Sequence, residues 1–491
     1  MHPSRFLLLP PVGFATGRFA SPESTRLLKR LVPAEAPIQT LGGLQVRVLA
    51  SAASDGTKVL ELGADQAALL QAQAPGLRLV PERRYLPARA PRLRVLHRLR
   101  AREGMELAPV TIRVTAGEGE DGRPLSDCLV VVLTDVATGT GVEGTTNARG
   151  ELRVRLPQGL RRLPLVAAYP LHGGWPREWR RLAVEGTQMA LALPPLDVRF
   201  ADSRRRLYQL PGESHGQGVR VAVIDTGVGP HGALPVALGR NTTLVEPTDA
   251  WHDEDGHGTH VAGVIAARAR SGAPGLFWGE AAQVQLHAYR VFEHGEPGAS
   301  NAAIREAIRQ AVLDGCDILN LSLGGGESDP AISEAIQFAR LSGAVCIVAA
   351  GNDGGPVSFP ASDPMALAVS AIGVKQAWPA HAATAGHAGP PEGRHDAFFA
   401  RFSNRGPQVR LCAPGVGIIS TIPGDRYGVM DGTSMASPVA AGVLARVLAL
   451  APQVLQAPRD ARRSEAILTL AARCAEDLGM PATMQGKGLA R

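Results

Sequence analysis

Val219-Arg220-Val221-Ala222-Val223-Ile224-Asp225-Thr226-Gly227 decides the fold. It is a short apolar run of the fully buried type, closed by an acid and a glycine. Similar runs recur at 284–289, 318–323, 344–349 and 366–372, and between them 259–269, 301–314 and 330–342 have helical periodicity. Strands buried on both faces and alternating with helices predict a parallel sheet covered on both sides. The expected unit is an α/β domain over 205–491. Ligands of such sheets gather at the carboxyl ends of the strands, where Asp225 stands.

Three further segments place polar residues at comparable edges. Asp255-Gly256-His257-Gly258-Thr259-His260-Val261-Ala262-Gly263 opens a helix. Glycines flank His257, so neighbours can approach its ring, and Ala262 and Gly263 permit close packing. Val348-Ala349-Ala350-Gly351-Asn352-Asp353-Gly354 ends a strand, where an amide N–H can be aimed at developing negative charge. Gly432-Thr433-Ser434-Met435-Ala436-Ser437-Pro438 lies between a glycine turn and an apolar stretch that reaches Leu450. A serine there sits near the positive end of a helix dipole. Singly, each has an ordinary reading. Asp225 would cap a helix, Asn352 would serve the turn before Gly354-Gly355-Pro356, and His257 with His260 lacks the glutamate of HExxH. Together they offer a nucleophile, a base, an acid to orient the base and an oxyanion donor, as acyl transfer requires.

The ordered motifs VAVIDTGV (221–228), HGTHVAG (257–263), ILNLSLGGG (318–326), AAGN (349–352) and GTSMASP (432–438) resemble those of the subtilisin-like serine proteases. SNRGP (403–407), CAPGV (412–416) and GKGL (486–489) are lesser matches. The resemblance covers 205–491. It implies a parallel-sheet subtilisin-like catalytic domain and a serine endopeptidase working through an acyl-enzyme. Carried over motif by motif, Ser434 is the nucleophile and His257 the general base, then acid. Asp225 holds the imidazole tautomer, and His260 is structural. Asn352 and the Ser434 backbone N–H form the oxyanion hole. A polypeptide substrate would lie extended along Ser322, Leu323, Gly324 and Gly325. Ala350, Gly351 and Ser358 would wall the pocket for the residue before the cut. Those walls are small or apolar and predict broad, apolar-leaning specificity, whereas Asp353 at the rim would favour basic residues. A transpeptidating enzyme on the same triad and an inactive scaffold are the alternatives.

Upstream, residues 1–90 read as a small α+β domain. Strands are expected at 5–9, 44–50, 59–62 and 76–81, and helices at 23–31 and 65–73, a βαββαβ order. The pattern resembles the inhibitor propeptides of the same proteases. That implies that residues 5–90 cap the active site as an intramolecular inhibitor and chaperone, with self-cleavage at about 85–104; an uncleaved N-terminal scaffold is the rival. Residues 91–107 read as an Arg-rich connection. Short strands with Gly and Asn/Asp turns at 108–199 predict an accessory β-sandwich, similar to transthyretin-like and carboxypeptidase-regulatory-like modules. Residues 376–396, rich in Ala, Gly, Pro and His, read as a surface insertion.

The chain of 491 residues carries a net charge of +6. Its cations are almost all arginines and mostly dispersed, which argues against a nucleic-acid surface. Five scattered cysteines without a CxxC read as buried thiols, not a metal site. No apolar run approaches a membrane span. The apolar stretch at 6–9 is too short for a signal peptide and is broken by Pro10-Pro11, so a cytoplasmic location is the default and a secreted one the alternative. No cofactor is expected. The loop at 268–275 carries arginines instead of the carboxylates that calcium would need.

Overall fold

The computed structural model describes residues 4–10, 26, 28–31, 38–41, 44–54, 56–73, 78–101, 105–119, 122–208, 215–269 and 279–491. Among these, the C-terminal part builds an 11-stranded sheet. Its path runs Val236–Asn241, Gln285–Arg290, Arg220–Asp225, Ile318–Leu321, Val345–Ala349, Leu367–Val374 and Val409–Pro414. Each of these neighbours is parallel to the next. Leu489–Ala490 and Ala475–Glu476 close that edge as an antiparallel pair.

Successive residues of the central strand feed two different cores, as a pleated strand requires. Val221 and Val223 pack with residues of the helices His257–Ala266 and Thr433–Ala449. Ala222 and Ile224 pack with residues of the helices Asn301–Leu313 and Pro330–Leu341. Both latter helices start where a side chain takes an orphan N–H: Ser300 caps Ala303, and Asp329 caps Ala331 and Ile332.

The N-terminal segment forms an antiparallel sheet in the order Ile38–Leu41, Leu44–Ser51, Lys58–Leu62, Ser4–Leu9, Arg78–Pro81. One face, with Leu8, Val46, Val48 and Leu60, covers Leu28, Leu31, Ala67 and Leu70. Residues 23–25 and 27 of the helix expected at 23–31 lie outside the described residues, and 26 and 28–30 are helical. The other face presents Leu7, Leu9, Val59 and Val80 to Ala302 and Ala331, at the starts of the Asn301 and Pro330 helices. Polar contacts surround this patch. Arg305 Nε donates to Thr57 Oγ1 (3.0 Å), Arg78 pairs with Glu334, and Asn301 Nδ2 donates to the Pro81 carbonyl (3.0 Å).

Between these parts, two sheets share one core. The first contains Arg177–Ala183, Arg162–Pro170, Cys128–Asp135, Thr140–Thr145 and His97–Arg98; the second contains Glu151–Pro157, Leu107–Ala116 and Gln188–Leu193. Ile112, Val114, Val130, Val132, Val166 and Leu191 fill the space between them. The unit is not freely hung. Trp175 is buried in the core of the 11-stranded part, its ring edge-on to Phe200 at 5.4 Å.

Two segments are more firmly anchored than their composition suggests. Residues 91–101 are not a bare connection. Leu93 and Val95 pack against Val131, Leu133 and Leu165, and His97–Arg98 pairs in parallel with Thr140 and Gly141. Their few apolar residues are hidden among arginines in the sequence. Residues 376–396 are likewise built in. Ala388–Glu392 pairs with Ala397–Ala400, Trp378 packs edge-on to Phe398, and Ala383 N–H donates to the Pro176 carbonyl (2.7 Å). All five cysteines are free thiols. Among the described residues, no helix is long and apolar enough to cross a membrane, and no cluster of three or more His, Cys, Asp or Glu is placed to hold a metal ion.

Candidate active site

Asp225 ends the central strand and is buried. Its Oδ1 accepts from Thr226 N–H (2.7 Å) and faces His257 Nδ1 at 2.7 Å. His257 is the first residue of its helix and is also buried. A Cβ on Gly258 would strike the Gly227 carbonyl, so only glycine lets this helix start press onto the Asp225 strand. The helix start is fixed by Asp253. Its carboxylate accepts from Gly256 N–H, Thr259 N–H and Thr259 Oγ1, and Thr226 Oγ1 bonds it from the strand side. Burial raises the Asp253 pKa against these donors. The acidic run 253–255 therefore serves as a clamp, and Glu254 turns outward to Arg290 and His294.

Ser434 is buried near the start of the Thr433–Ala449 helix. Pro438, four residues on, has no N–H to offer the Ser434 carbonyl. Ser322 Oγ takes that carbonyl instead (2.9 Å). Ser322 Oγ is itself held by Asn320 Nδ2 (2.9 Å), and Asn320 Oδ1 accepts from Ser437 Oγ (2.7 Å). The NLSL and TSMASP motifs are thus one hydrogen-bonded unit. Ser434 Oγ donates to the Ser322 carbonyl (2.9 Å), while His257 Nε2 is buried without a hydrogen-bond partner. The Asp225–His257 link is formed here and the His257–Ser434 link is not.

Asn352 follows the strand Val345–Ala349. Its Oδ1 accepts from Thr433 N–H (2.8 Å) and Thr433 Oγ1 (3.1 Å), which leaves Nδ2 buried and unpartnered. Thr433 thereby sets the orientation of the amide. The sequence reading gave Thr433 no role, although it precedes Ser434 in the motif.

The groove beside these residues is filled by the chain itself. The strand Arg84–Pro87 lies between Ala299–Ser300 and Leu323–Gly324, antiparallel to both. Ala88 N–H donates to the Ser322 carbonyl (3.0 Å), and the Ala88 carbonyl accepts from Ser434 N–H (3.3 Å). Gly432, at φ 152°, lies directly under it, and a Cβ there would sit 2.7 Å from the Ala88 oxygen. Arg89 N–H turns back to the Pro87 carbonyl (2.9 Å), the Arg89 guanidinium pairs with Asp255, and Ala90 N–H donates to the Asp431 carbonyl (2.9 Å). Gly324, Gly325, Gly351, Asn352, Asp353 and Ser358 border the same groove. Ala350 is buried and contributes its carbonyl, which accepts from Ser358 N–H and Oγ. Asp255 and Asp431 escaped the sequence reading as groove residues. Nothing local marks them, because their partners are Arg89 and Ala90.

An α/β sheet with a buried Asp–His pair, a serine at a helix start and an amide facing one groove defines a hydrolase-type architecture. The Subtilase family model matches residues 216–488, and the chain belongs to that family. The Thermostable alkaline protease of Halalkalibacterium halodurans is 36% identical over 234 residues, which is 47% of this chain and 57% of that protein. Alkaline elastase YaB of a Bacillus species is 37% identical over 234 residues, 47% of this chain and 54% of its own length. Subtilisin DY of Bacillus licheniformis is 33% identical over 243 residues, 48% of this chain and 79% of its own length. The chain spans a little over half the length of the first two.

Proposed function

We propose that this subtilase is a serine endopeptidase whose first substrate is its own chain, cut between Ala88 and Arg89. The observation that carries the reading is the strand Arg84–Pro87 in the groove, with the Ala88 carbonyl on Ser434 N–H. In this reading Ser434 Oγ leaves the Ser322 carbonyl for His257 Nε2, gives up its proton there and attacks the Ala88 carbonyl carbon. Asp225 holds the imidazole tautomer and stabilises the imidazolium. The Ser434 N–H already meets the Ala88 oxygen, and Asn352 Nδ2 is the free donor for the charge that develops on it. His257 then protonates the leaving amine of Arg89, and water releases the acyl group.

The seated segment also describes the preferred substrate class. It has a small apolar residue before the cut, a basic residue after it opposite Asp255, and an aromatic residue three positions before Ala88. Tyr85 is buried there, 6.0 Å from the Phe359 ring. Residues 5–90 act as intramolecular inhibitor and chaperone, and 108–199 as an accessory β-sandwich. The calcium question at 268–275 falls largely on residues outside those described. The test is intact-mass analysis of the purified chain beside Ser434→Ala. The expected result is a wild-type product beginning at Arg89 and an unprocessed variant. Equal masses, or a cut elsewhere, overturn the reading.

A further inference from the structure

We propose that the processed protein carries its own acyl acceptor, the α-amine of Arg89, and joins acyl groups to it in competition with hydrolysis. The inference rests on the self-cleavage reading and extends it. Cutting the Ala88–Arg89 bond lets the 1–88 fragment leave the N-terminal side of the groove, and on the other side ends only the Arg89 N–H contact to the Pro87 carbonyl. Ala90 is buried in the core of the 11-stranded part, with its N–H on the Asp431 carbonyl. The Arg89 guanidinium stays opposite Asp255. Arg92 lies over the Tyr169 ring at 5.4 Å, and Leu93 N–H donates to Tyr169 Oη (3.1 Å). Val95 N–H donates to Glu143 (3.1 Å), and Leu96 and Leu99 N–H donate to the Gly139 and Gly141 carbonyls (2.9 and 2.8 Å). The two-sheet unit bearing these acceptors is in turn fixed through Trp175. The leg from Arg89 to Leu99 is therefore held along its length by parts of the chain that remain covalently joined to Ser434.

A nucleophile held this way acts at the effective concentration of a tethered group, not at its bulk concentration. The step balances simply. The neutral Arg89 amine forms a C–N bond at the acyl carbon, the C–O bond to Ser434 breaks, and the surplus amine proton passes through His257 to Ser434 Oγ. The product is an amide and free enzyme, and with the native 1–88 fragment as donor it is the uncut chain. The same leg occupies the leaving-group half of the groove. Peptides that need both halves are then excluded, whereas donors with a small leaving group are admitted.

The experiment treats the nicked full chain with excess acetyl-Tyr-Leu-Pro-Ala methyl ester and maps the Glu-C peptide 89–103. The expected result is the acetyl-tetrapeptide acyl mass on the Arg89 amine. Leu93→Asp, which loosens the leg away from the reacting groups, should lower that adduct at least tenfold and raise cleavage of a quenched peptide spanning both halves. Ester hydrolysis by nicked protein with an unmodified 89–103 peptide overturns the proposal while leaving self-cleavage standing. An adduct unaffected by Leu93→Asp overturns the role of the held leg. Absence of any nick in wild type overturns the underlying reading instead.

Discussion

The carbonyl oxygen of Ala88 rests 3.3 Å from the backbone N–H of Ser434. One end of this contact belongs to the N-terminal segment and the other to the helix that carries the nucleophile of the proposed reaction. Between them the chain crosses a complete two-sheet unit and most of the 11-stranded part. The contact needs three separate surfaces to agree. The N-terminal sheet must sit on the starts of the Asn301 and Pro330 helices, Arg84–Pro87 must pair on both edges, and the Arg89–Leu99 leg must dock on the two-sheet unit.

Tyr85 is the apolar anchor of that arrangement. It is buried, packs on Phe359, and its hydroxyl approaches the Glu327 carbonyl at 3.4 Å. Truncating a buried aromatic removes about 3–5 kcal/mol of packing. Tyr85→Ala is expected to slow self-cleavage and to speed loss of the 1–88 fragment from nicked protein at least tenfold, read by mass spectrometry and size exclusion. Tyr85→Phe should stay close to wild type. Unchanged processing and retention in Tyr85→Ala would remove the anchor role.

Thr433 is expected to act through Asn352. With both Thr433 N–H and Oγ1 on Asn352 Oδ1, the amide can present only Nδ2 to the groove. Asn352→Ala should lower turnover by about 10²–10³, the loss characterised for such a donor in subtilisin, a relative of this chain. Thr433→Val leaves the backbone donor in place and should cost about tenfold in kcat with little change in KM. Steady-state kinetics on a peptide anilide checks both. A KM effect without a kcat effect would place Thr433 in substrate binding instead.

The parts of this molecule legible in the sequence are those whose chemistry is local. Val221, Val223, Asp225 and the glycines beside His257 signal a buried strand end and a tight helix start through their immediate neighbours. The Asn320–Ser322–Ser437 network could not be read that way, although all three residues lie in recognisable motifs. Its logic depends on Pro438 freeing the Ser434 carbonyl for a hydroxyl from another strand. The groove occupant was harder still. Arg84-Tyr85-Leu86-Pro87-Ala88-Arg89 contains no catalytic residue type, and its partners Asp255, Ser300 and Asp431 become visible only once the chain is folded. In 91–107, arginines masked Leu93 and Val95, which are half-buried because Leu133 and Leu165, in the sheet that His97–Arg98 joins, meet them.

Trp175 ties the two-sheet unit to the rest of the chain. Its indole lies in the same core as Val221 and Val439, edge-on to Phe200, and a Cβ on Gly417 would come within 3.3 Å of it. Trp175→Ala should cost about 3–5 kcal/mol in stability and expose the junction near residues 194–202 to added protease. Urea unfolding and limited proteolysis read the two effects. A stable variant with an unchanged digestion pattern would mean that the unit is held elsewhere.

His260 supplies a pH dependence that can be separated from catalysis. Its ring is buried in the first turn of the His257 helix, with Nε2–H donating to the Ile418 carbonyl (3.0 Å). Burial, and then the neighbouring His257 ring, push its pKa down to about 3. The ordinary histidine value is about 6.5. Above that pH both folded and unfolded chains hold His260 neutral, so it adds no pH dependence. As pH falls below about 6.5 the unfolded chain takes up a proton that the folded one refuses. Stability then declines by about 1.4 kcal/mol per pH unit, until the folded ring also protonates near pH 3. His260→Gln has no such proton to bind, so its unfolding free energy should fall less steeply between pH 6 and 4. Urea titrations of Ser434→Ala and of the Ser434→Ala/His260→Gln double variant, both free of self-cleavage, make the comparison. Parallel slopes across that window would show that the acid sensitivity belongs to other groups.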